Sequence, residues 1–120
     1  MQLYESSEDY LERILILKNK YGFVRAIDIA KDLGFSKASV SIAMKKLREN
    51  GYIDIDEKGH IELTKSGLDV ANKTYERHIV LTKTLTRLGV NPKTAEEDAC
   101  KIEHDLSEET FEAIKRYLNK

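Results

Sequence analysis

Two short helical segments joined by a tight turn constrain the fold of this chain more than any other feature. The first, Arg25 to Gly34, has apolar residues at helical spacing and ends at a glycine suited to the C′ position. The second begins at Ser36, a good N-cap residue, and runs to about Asn50, with Gly51 as its stop. Two helices separated by roughly three to four residues are typical of a helix-turn-helix.

The residues after this pair alternate between apolar and polar. The alternation runs through Tyr52–Leu63 on both sides of Glu57–Gly59, a pattern that predicts a β-hairpin. A hairpin directly after the second helix makes the motif winged. Lys58, at the expected tip, is then placed to touch a phosphate or the minor groove.

The residues before the pair predict another helix. Ser6 or Ser7 is a suitable N-cap, acidic residues follow in the first turn, and Gly22 ends the segment. We therefore expect residues 1–64 to form a winged helix-turn-helix of three helices plus a β-hairpin wing, which is a DNA-binding architecture.

The C-terminal part predicts three further helices. One is long, from about Leu68 to Leu88; Asn91 caps the next, with Pro92 at its first position, and Ser107 caps a last amphipathic helix. So small a helical tail cannot bury all its apolar residues alone. Pairing with a second copy is economical, and a two-fold dimer matches a palindromic DNA site. We expect a mainly α protein, with residues 65–120 as a helical metal-binding and dimerisation domain.

The distribution of charge indicates DNA binding, although the net charge is only −1. The second helix of the motif has small polar residues in its first two turns and a basic cluster after them, so it is thin where it would meet base edges. Candidates for contacts with base edges and nearby phosphates are Ser36, Lys37, Ser39 and Ser41. Candidates for attraction to phosphates are Lys45, Lys46 and Lys58, with His60 as a further one.

Three potential metal ligands lie within five residues near the C-terminus. On a helix, Cys100, Glu103 and His104 share a face, because positions three and four apart are neighbours. A thiolate, a carboxylate and an imidazole suit a divalent first-row transition metal better than calcium or magnesium. From spacing alone, a semi-buried cysteine beside two solvated side chains remains an alternative.

In this order, the parts resemble the metal-dependent repressors of the diphtheria toxin repressor and manganese transport regulator family. The resemblance covers nearly the whole chain and is carried by residues 8–12, the winged helix, and residues 75–78 and 97–107. It implies a metal that links the N-terminal helix to the dimerisation helices, and repression of manganese or iron uptake genes. The ligands that it implies are Asp9, Glu12, His78, Cys100, Glu103 and His104.

The resemblance leaves the metal open. Cys100 stands where manganese-type members carry a glutamate, and Asp9 stands where iron-type members carry a methionine. We expect Mn²⁺ or Fe²⁺, with Zn²⁺ or Co²⁺ as further candidates, because thiolate and carboxylate favour different metals. Thr82 replaces a carboxylate of the iron-type members, and Glu96 falls near one of their auxiliary ligands, so the number of ions is also open. The architecture resembles the short two-domain form.

Other function classes find less support in the sequence. A regulator that senses oxidation through Cys100, without metal, is the alternative, although the adjacent acids disfavour a thiolate. No H-E-x-x-H or oxyanion motif indicates an enzyme. A single cysteine excludes an internal disulfide framework, and no signal peptide or apolar run of membrane-spanning length is present. We expect a cytoplasmic protein without membrane or organic small-molecule partners.

Overall fold

The computed structural model of the chain describes residues 5–120, with side chains from Ser6 onward, and this range is mainly helical. It contains six helices and one two-stranded antiparallel sheet. In chain order the elements are α1 (Glu5–Tyr21), α2 (Ala26–Leu33), α3 (Lys37–Glu49), β1 (Ile53–Ile55), β2 (Ile61–Leu63), α4 (Lys65–Arg87), α5 (Pro92–Ile102) and α6 (Glu108–Leu118). The residues group into two compact units, Met1–Asn72 and Lys73–Lys120, which are described separately. The expected domain boundary between residues 64 and 65 remains a prediction.

The helix-turn-helix forms where local signals predicted it. Gly34 follows α2 in the left-handed conformation, with φ of 73°, and its N–H donates to the carbonyl of Ala30. Ser36 caps α3, and its hydroxyl accepts a 3.1 Å hydrogen bond from the backbone N–H of Ser39. Each cap satisfies a backbone group that the helix end leaves without a partner, which fixes the turn between the two helices.

The wing is a short hairpin whose strands pair Ile53 with Leu63 and Ile55 with Ile61. Its turn is closed by Asp56, whose Oδ1 accepts hydrogen bonds from the backbone N–H groups of Lys58 (2.8 Å) and His60 (2.9 Å). The backbone N–H of Ile61 donates to the carbonyl of Val24, which ties the wing to the segment before α2.

One apolar core holds the first unit together. It draws a buried residue from every helix and strand of that unit, including Leu11, Ile29, Val40, Met44, Ile53, Ile61 and Ala71. Apolar residues at helical spacing supply much of it from two helices, Leu11, Ile14 and Leu17 from α1 and Val40, Met44 and Leu47 from α3.

Two helix starts differ from those expected. The described part of α1 already includes Glu5, so Ser6 and Ser7 lie within the helix and neither is its N-cap. α4 begins at Lys65, before the expected Leu68, because the hydroxyl of Thr64 accepts a hydrogen bond from the N–H of Gly67 and starts the helix earlier.

The second unit consists of the rest of α4 with α5 and α6. Its apolar cluster comprises Val80, Phe111 and Leu118, with Ile114 packed against it. The predicted caps are confirmed, since Asn91 accepts from the backbone N–H of Lys93 and Ser107 from that of Thr110. Among residues 5–120, no helix combines the length and the apolar character that a membrane crossing requires.

Candidate metal centre and DNA-binding surface

The centre of the second unit is a buried carboxylate. Glu103 is 1% exposed, and its Oε2 lies 3.0 Å from Nδ1 of His78 on α4. Its other oxygen, Oε1, lies 3.4 Å from Nε2 of His104. Each oxygen of this buried carboxylate therefore has an imidazole nitrogen beside it. An ion pair that only stabilised the fold would need one imidazole, not two.

The hydrogen bonding of Glu103 is incomplete in a way that suits a cation. Its Oε1 is buried and accepts no hydrogen bond from any residue that the structure describes, although His104 is close. A buried carboxylate oxygen without a donor is costly, and a metal ion is one of the few ligands that can satisfy it. The residues present therefore fit a bound divalent metal.

Cys100 brings a sulfur atom to the same carboxylate. Its side chain is half-buried, and Sγ lies within 4.8 Å of a Glu103 oxygen. His78 also has a second acidic neighbour, since its Nε2 is 4.0 Å from Oε1 of the exposed Glu96. Nitrogen, oxygen and sulfur donors together favour a transition metal over calcium or magnesium.

Only two of the three residues predicted to share one helical face, Cys100 and Glu103, do so. α5 ends at Ile102, and Glu103 is its C-cap, with its N–H still donating to the carbonyl of Ala99. Cys100 and Glu103 therefore follow one helical path, whereas His104 lies in the turn after the helix and approaches Glu103 from there. The expectation that His104 shares the helix with Cys100 was wrong, because the helix ends before it.

Thr82 is engaged with the backbone. Its hydroxyl donates a 2.7 Å hydrogen bond to the carbonyl of His78, one turn earlier on α4. This is the common i−4 bond of threonine in helices.

Asp9 and Glu12 lie one turn apart on α1, in the first unit. Glu12 is only 4% exposed, unusual for a glutamate, and Asp9 is half-buried. Their service as ligands to the same ion as His78, Cys100, Glu103 and His104 remains a prediction.

The predicted DNA-contacting side chains are exposed, except that of His60, which is half-buried. On α3 and its cap these are Ser36, Lys37, Ser39, Ser41, Lys45 and Lys46, and on the wing it is Lys58. The hydroxyl of Ser36 caps the helix and also donates to the hydroxyl of Ser39 (2.9 Å). Ser36 therefore stabilises the start of the helix, in addition to any contact that it makes with DNA.

Sequence patterns did not identify Ile42 near this surface, and they indicated His60 only as a further candidate. Ile42 is 58% exposed on α3, outside the buried stripe of that helix, and an exposed apolar side chain there suits contact with a thymine methyl group. His60 is held between Asp56 (Nδ1 to Oδ2, 3.5 Å) and the guanidinium of Arg25 (3.3 Å), beside the ring of Phe23. The off-stripe position of Ile42 was the signal that would have revealed it.

Comparison with known families decides the identity. Residues 2–61 match the family described as "Iron dependent repressor, N-terminal DNA binding domain", and residues 64–120 match "Iron dependent repressor, metal binding and dimerisation domain". The chain belongs to the iron dependent repressor family. The expected winged helix-turn-helix followed by a helical dimerisation domain is thereby confirmed.

Similar proteins match almost the whole of this chain. An uncharacterized HTH-type transcriptional regulator of Methanocaldococcus jannaschii is 37% identical over 97% of this chain and 94% of its own length. The transcriptional regulator MntR of Escherichia coli is 35% identical over 97% of this chain and 75% of its own. A solved manganese-dependent transcriptional repressor, in complex with manganese, is 28% identical with a TM-score of 0.86 over 94% of this chain. The chain spans 52% of that solved protein, about half.

Membership in the iron dependent repressor family settles the functional class. The family comprises metal-dependent, DNA-binding transcription regulators with a dimerisation domain, so the chain is a regulator and not an enzyme. The expected metal, DNA and second-copy partners are confirmed at this level. The alternative of a metal-independent oxidation sensor is not favoured, since a metal-binding domain covers Cys100.

Proposed function

We propose that this chain represses metal-uptake genes in the cytoplasm, binding a palindromic operator as a dimer when loaded with Mn²⁺ or Fe²⁺. The observation that carries this proposal is the buried Glu103 carboxylate, with an imidazole at each oxygen and one oxygen lacking a hydrogen-bond donor among the described residues. Such a site gains most from a dication, and the manganese-dependent repressor of similar fold was solved with manganese bound.

The proposed ligand set has two origins. Glu103, His78, Cys100 and His104 are supported by their proximity in the second unit. Asp9 and Glu12 are proposed from the resemblance in sequence alone. When bound, the ion would supply positive charge to a group of acids that otherwise repel one another, and Asp9 and Glu12 would hold the N-terminal helix in the orientation that suits the operator.

The DNA contacts that we propose follow from exposure and charge. Lys37, Ser39, Ser41 and Ile42 on α3 would meet base edges and nearby phosphates, whereas Lys45, Lys46 and Lys58 would mainly attract phosphates. Ser36 contributes chiefly by capping the helix that presents them.

The test is DNA binding with and without metal. A labelled duplex is first recovered from a random-sequence pool by the Mn²⁺-loaded protein, and its Kd is then measured with Mn²⁺ and with chelator. We expect chelation to weaken binding about 100-fold, equivalent to about 2.7 kcal/mol for the complex as a whole. Glu103→Gln should abolish this dependence, while Glu109→Gln, an exposed acid on α6, should retain it. Equal affinity with and without metal would refute the proposal.

The metal preference has its own test. Because Cys100 is the soft ligand, we expect Cys100→Glu to improve activation by Mn²⁺ relative to Fe²⁺, Zn²⁺ and Co²⁺ in the same assay. Cys100→Ser is the matched control, since it removes the thiolate without adding a carboxylate. An unchanged ranking of the four metals would show that ligand softness at this position does not select the ion.

A further inference from the structure

A buried arginine lies directly beside the ligand His78 on α4. Arg77 is 9% exposed, and its NH1 donates to the carbonyls of Glu103 (3.1 Å) and Leu106 (2.7 Å). Its NH2 donates to Oε2 of Glu108, 3.2 Å away in the first turn of α6. One guanidinium therefore bonds both ends of the turn that carries Glu103 and His104.

The chemistry of these bonds explains why an arginine stands here. The last carbonyls of a helix have no partner within it, and the carbonyls of Glu103 and Leu106 accept from Arg77 instead. A guanidinium presents several donors in a rigid, planar fork, whereas a lysine presents one compact charge on a flexible stem. The guanidinium also lies 5.2 Å from the centroid of the Phe111 ring, so an aromatic face restricts its orientation.

Neighbouring residues of α4 hold opposite ends of one glutamate. His78 contacts the Glu103 carboxylate, while Arg77 holds the Glu103 backbone carbonyl. A rotation of the turn would move the carboxylate away from His78, and the bonds of Arg77 oppose that rotation. The positive charge of Arg77 is paired with the Glu108 carboxylate, which also forms a salt bridge with Lys73 at 3.1 Å.

We infer that Arg77 is a positioning residue for the metal centre, which holds the turn of residues 103–106 so that Glu103 and His104 are preorganised for the ion before it binds. This inference rests on the proposed function and extends it, because Arg77 itself donates only to protein oxygens. Groups that orient metal ligands in this way typically change metal affinity about 10- to 100-fold when they are removed.

The experiment uses the full chain and compares two arginines of the same helix. Arg77→Lys keeps the charge but removes the fork, and Arg77→Met removes both. Arg87→Met is the matched control, because Arg87 also donates from α4 to a backbone carbonyl, that of Leu118 at 2.7 Å, away from the turn. Folding of each variant is verified by circular dichroism and thermal denaturation.

Two quantities are measured on each variant. The first is hydrogen exchange of the Asp105 amide in the metal-free protein, which donates to the carbonyl of Ile102 within the turn. The second is the Kd for Mn²⁺ by titration calorimetry. We expect Arg77→Lys to speed exchange at Asp105 about tenfold and to weaken Mn²⁺ binding about 10- to 100-fold. Arg87→Met should leave both quantities within about twofold of the wild type.

The outcomes distinguish a role of Arg77 in positioning the metal ligands from a general contribution to stability. Wild-type Mn²⁺ affinity in Arg77→Lys overturns the inference, and so does an equal loss in Arg77→Lys and Arg87→Met, which would indicate a general loss of stability. Weaker Mn²⁺ binding without faster exchange also overturns it, because the turn would not be what Arg77 holds. If Arg77→Met fails to fold, Arg77→Lys still decides. A wild type that binds none of Mn²⁺, Fe²⁺, Zn²⁺ and Co²⁺ refutes the proposed function instead, and is recognised in the first titration.

Discussion

The two units differ in what fills their interiors. The first encloses one apolar core to which every helix and strand contributes, whereas the apolar cluster of the second is smaller, with Val80, Phe111, Leu118 and Ile114, and Leu81, Ala95 and Ala99 are also buried there. Both units bury charged side chains, Glu12 in the first and Glu103 and Arg77 in the second, where the two are linked through the Glu103 backbone carbonyl. Burial of apolar side chains stabilises a fold by itself. Burial of charged side chains stabilises it only when ion pairs and hydrogen bonds offset the loss of hydration. The first unit therefore depends mainly on apolar packing, whereas the second depends more on the partners of its buried charges.

The largest expected effect comes from matched leucine truncations, one in each core. Leu47→Ala in α3 should lower the free energy of unfolding by about 2–5 kcal/mol, because Leu47 is 2% exposed within the continuous core. Leu118→Ala should cost less, since Leu118 is 8% exposed at the end of the last helix, where the surroundings relax into the space. Urea denaturation of the metal-free variants measures both. A larger loss for Leu118→Ala would invalidate the contrast between the units.

Metal should stabilise the two units unequally. At a Mn²⁺ concentration 100 times its Kd, linkage predicts about 2.7 kcal/mol of added protection. We expect this added protection from hydrogen exchange at the Glu103 amide, which donates to the carbonyl of Ala99. The Ile61 amide of the wing, which donates to the carbonyl of Val24, should gain much less protection. Hydrogen exchange with and without Mn²⁺ measures both, and Mg²⁺ is the control because it prefers oxygen ligands. Equal protection of the two amides would show that the response reaches the wing, beyond α1 and the second unit, which carry the proposed ligands.

The first unit should also be intolerant of added volume. A Cβ on Gly67 would overlap the carbonyl oxygen of Tyr52, which is backbone and cannot rotate away. Gly67→Ala should therefore destabilise the protein by about 1–3 kcal/mol, although alanine is the better helix former. Ser66→Ala, an exposed substitution in the same turn, should change stability little. Thermal denaturation of both variants is the measurement, and a Gly67→Ala variant as stable as Ser66→Ala would show that the backbone shifts at little cost.

Features with local causes were predictable from the sequence. The caps at Ser36, Asn91 and Ser107 each depend on one side chain and a backbone N–H two or three residues later, so a single residue predicts each helix start. The wing followed from alternation over a few residues on either side of Gly59. Within the second unit, the proximity of Cys100 and Glu103 was also predictable, because it follows from helical spacing.

Features that depend on distant partners were not predictable in this way. Arg77 bonds residues that lie 26, 29 and 31 positions away, and a guanidinium that donates to backbone carbonyls leaves no pattern in the sequence. The earlier start of α4 depends on Thr64, whose hydroxyl also donates to the carbonyl of Gly51 in another turn. The placement of His104 beyond α5 depends on where that helix ends, and helix ends are the least certain part of any pattern.

The smallest expected effect concerns two exposed carboxylates, one in each unit, whose pKa values lie below the ordinary range for different reasons. Asp56 in the wing has its pKa lowered mainly by the backbone N–H of His60, and Glu108 mainly by its bond with Lys73 and then by Arg77. A carboxyl whose pKa is lower in the folded state stabilises the protein above its unfolded pKa. That stabilisation is lost as the pH falls through the folded pKa.

The two carboxylates should therefore respond differently to loss of charge. Asp56→Asn keeps an oxygen that can accept from the N–H groups of Lys58 and His60, so we expect little change in stability at neutral pH. Glu108→Gln removes the charge that Lys73 and Arg77 bond, so it should destabilise more, and its stability should fall less on acidification than that of the wild type. The effect stays small because Glu108 is 57% exposed and solvent screens the pair. Urea denaturation of the metal-free proteins across the acidic range measures both variants. A wild-type acid dependence in Glu108→Gln would mean that charge pairing around Arg77 adds nothing to the stability of the second unit, leaving the guanidinium to act through its carbonyl bonds alone.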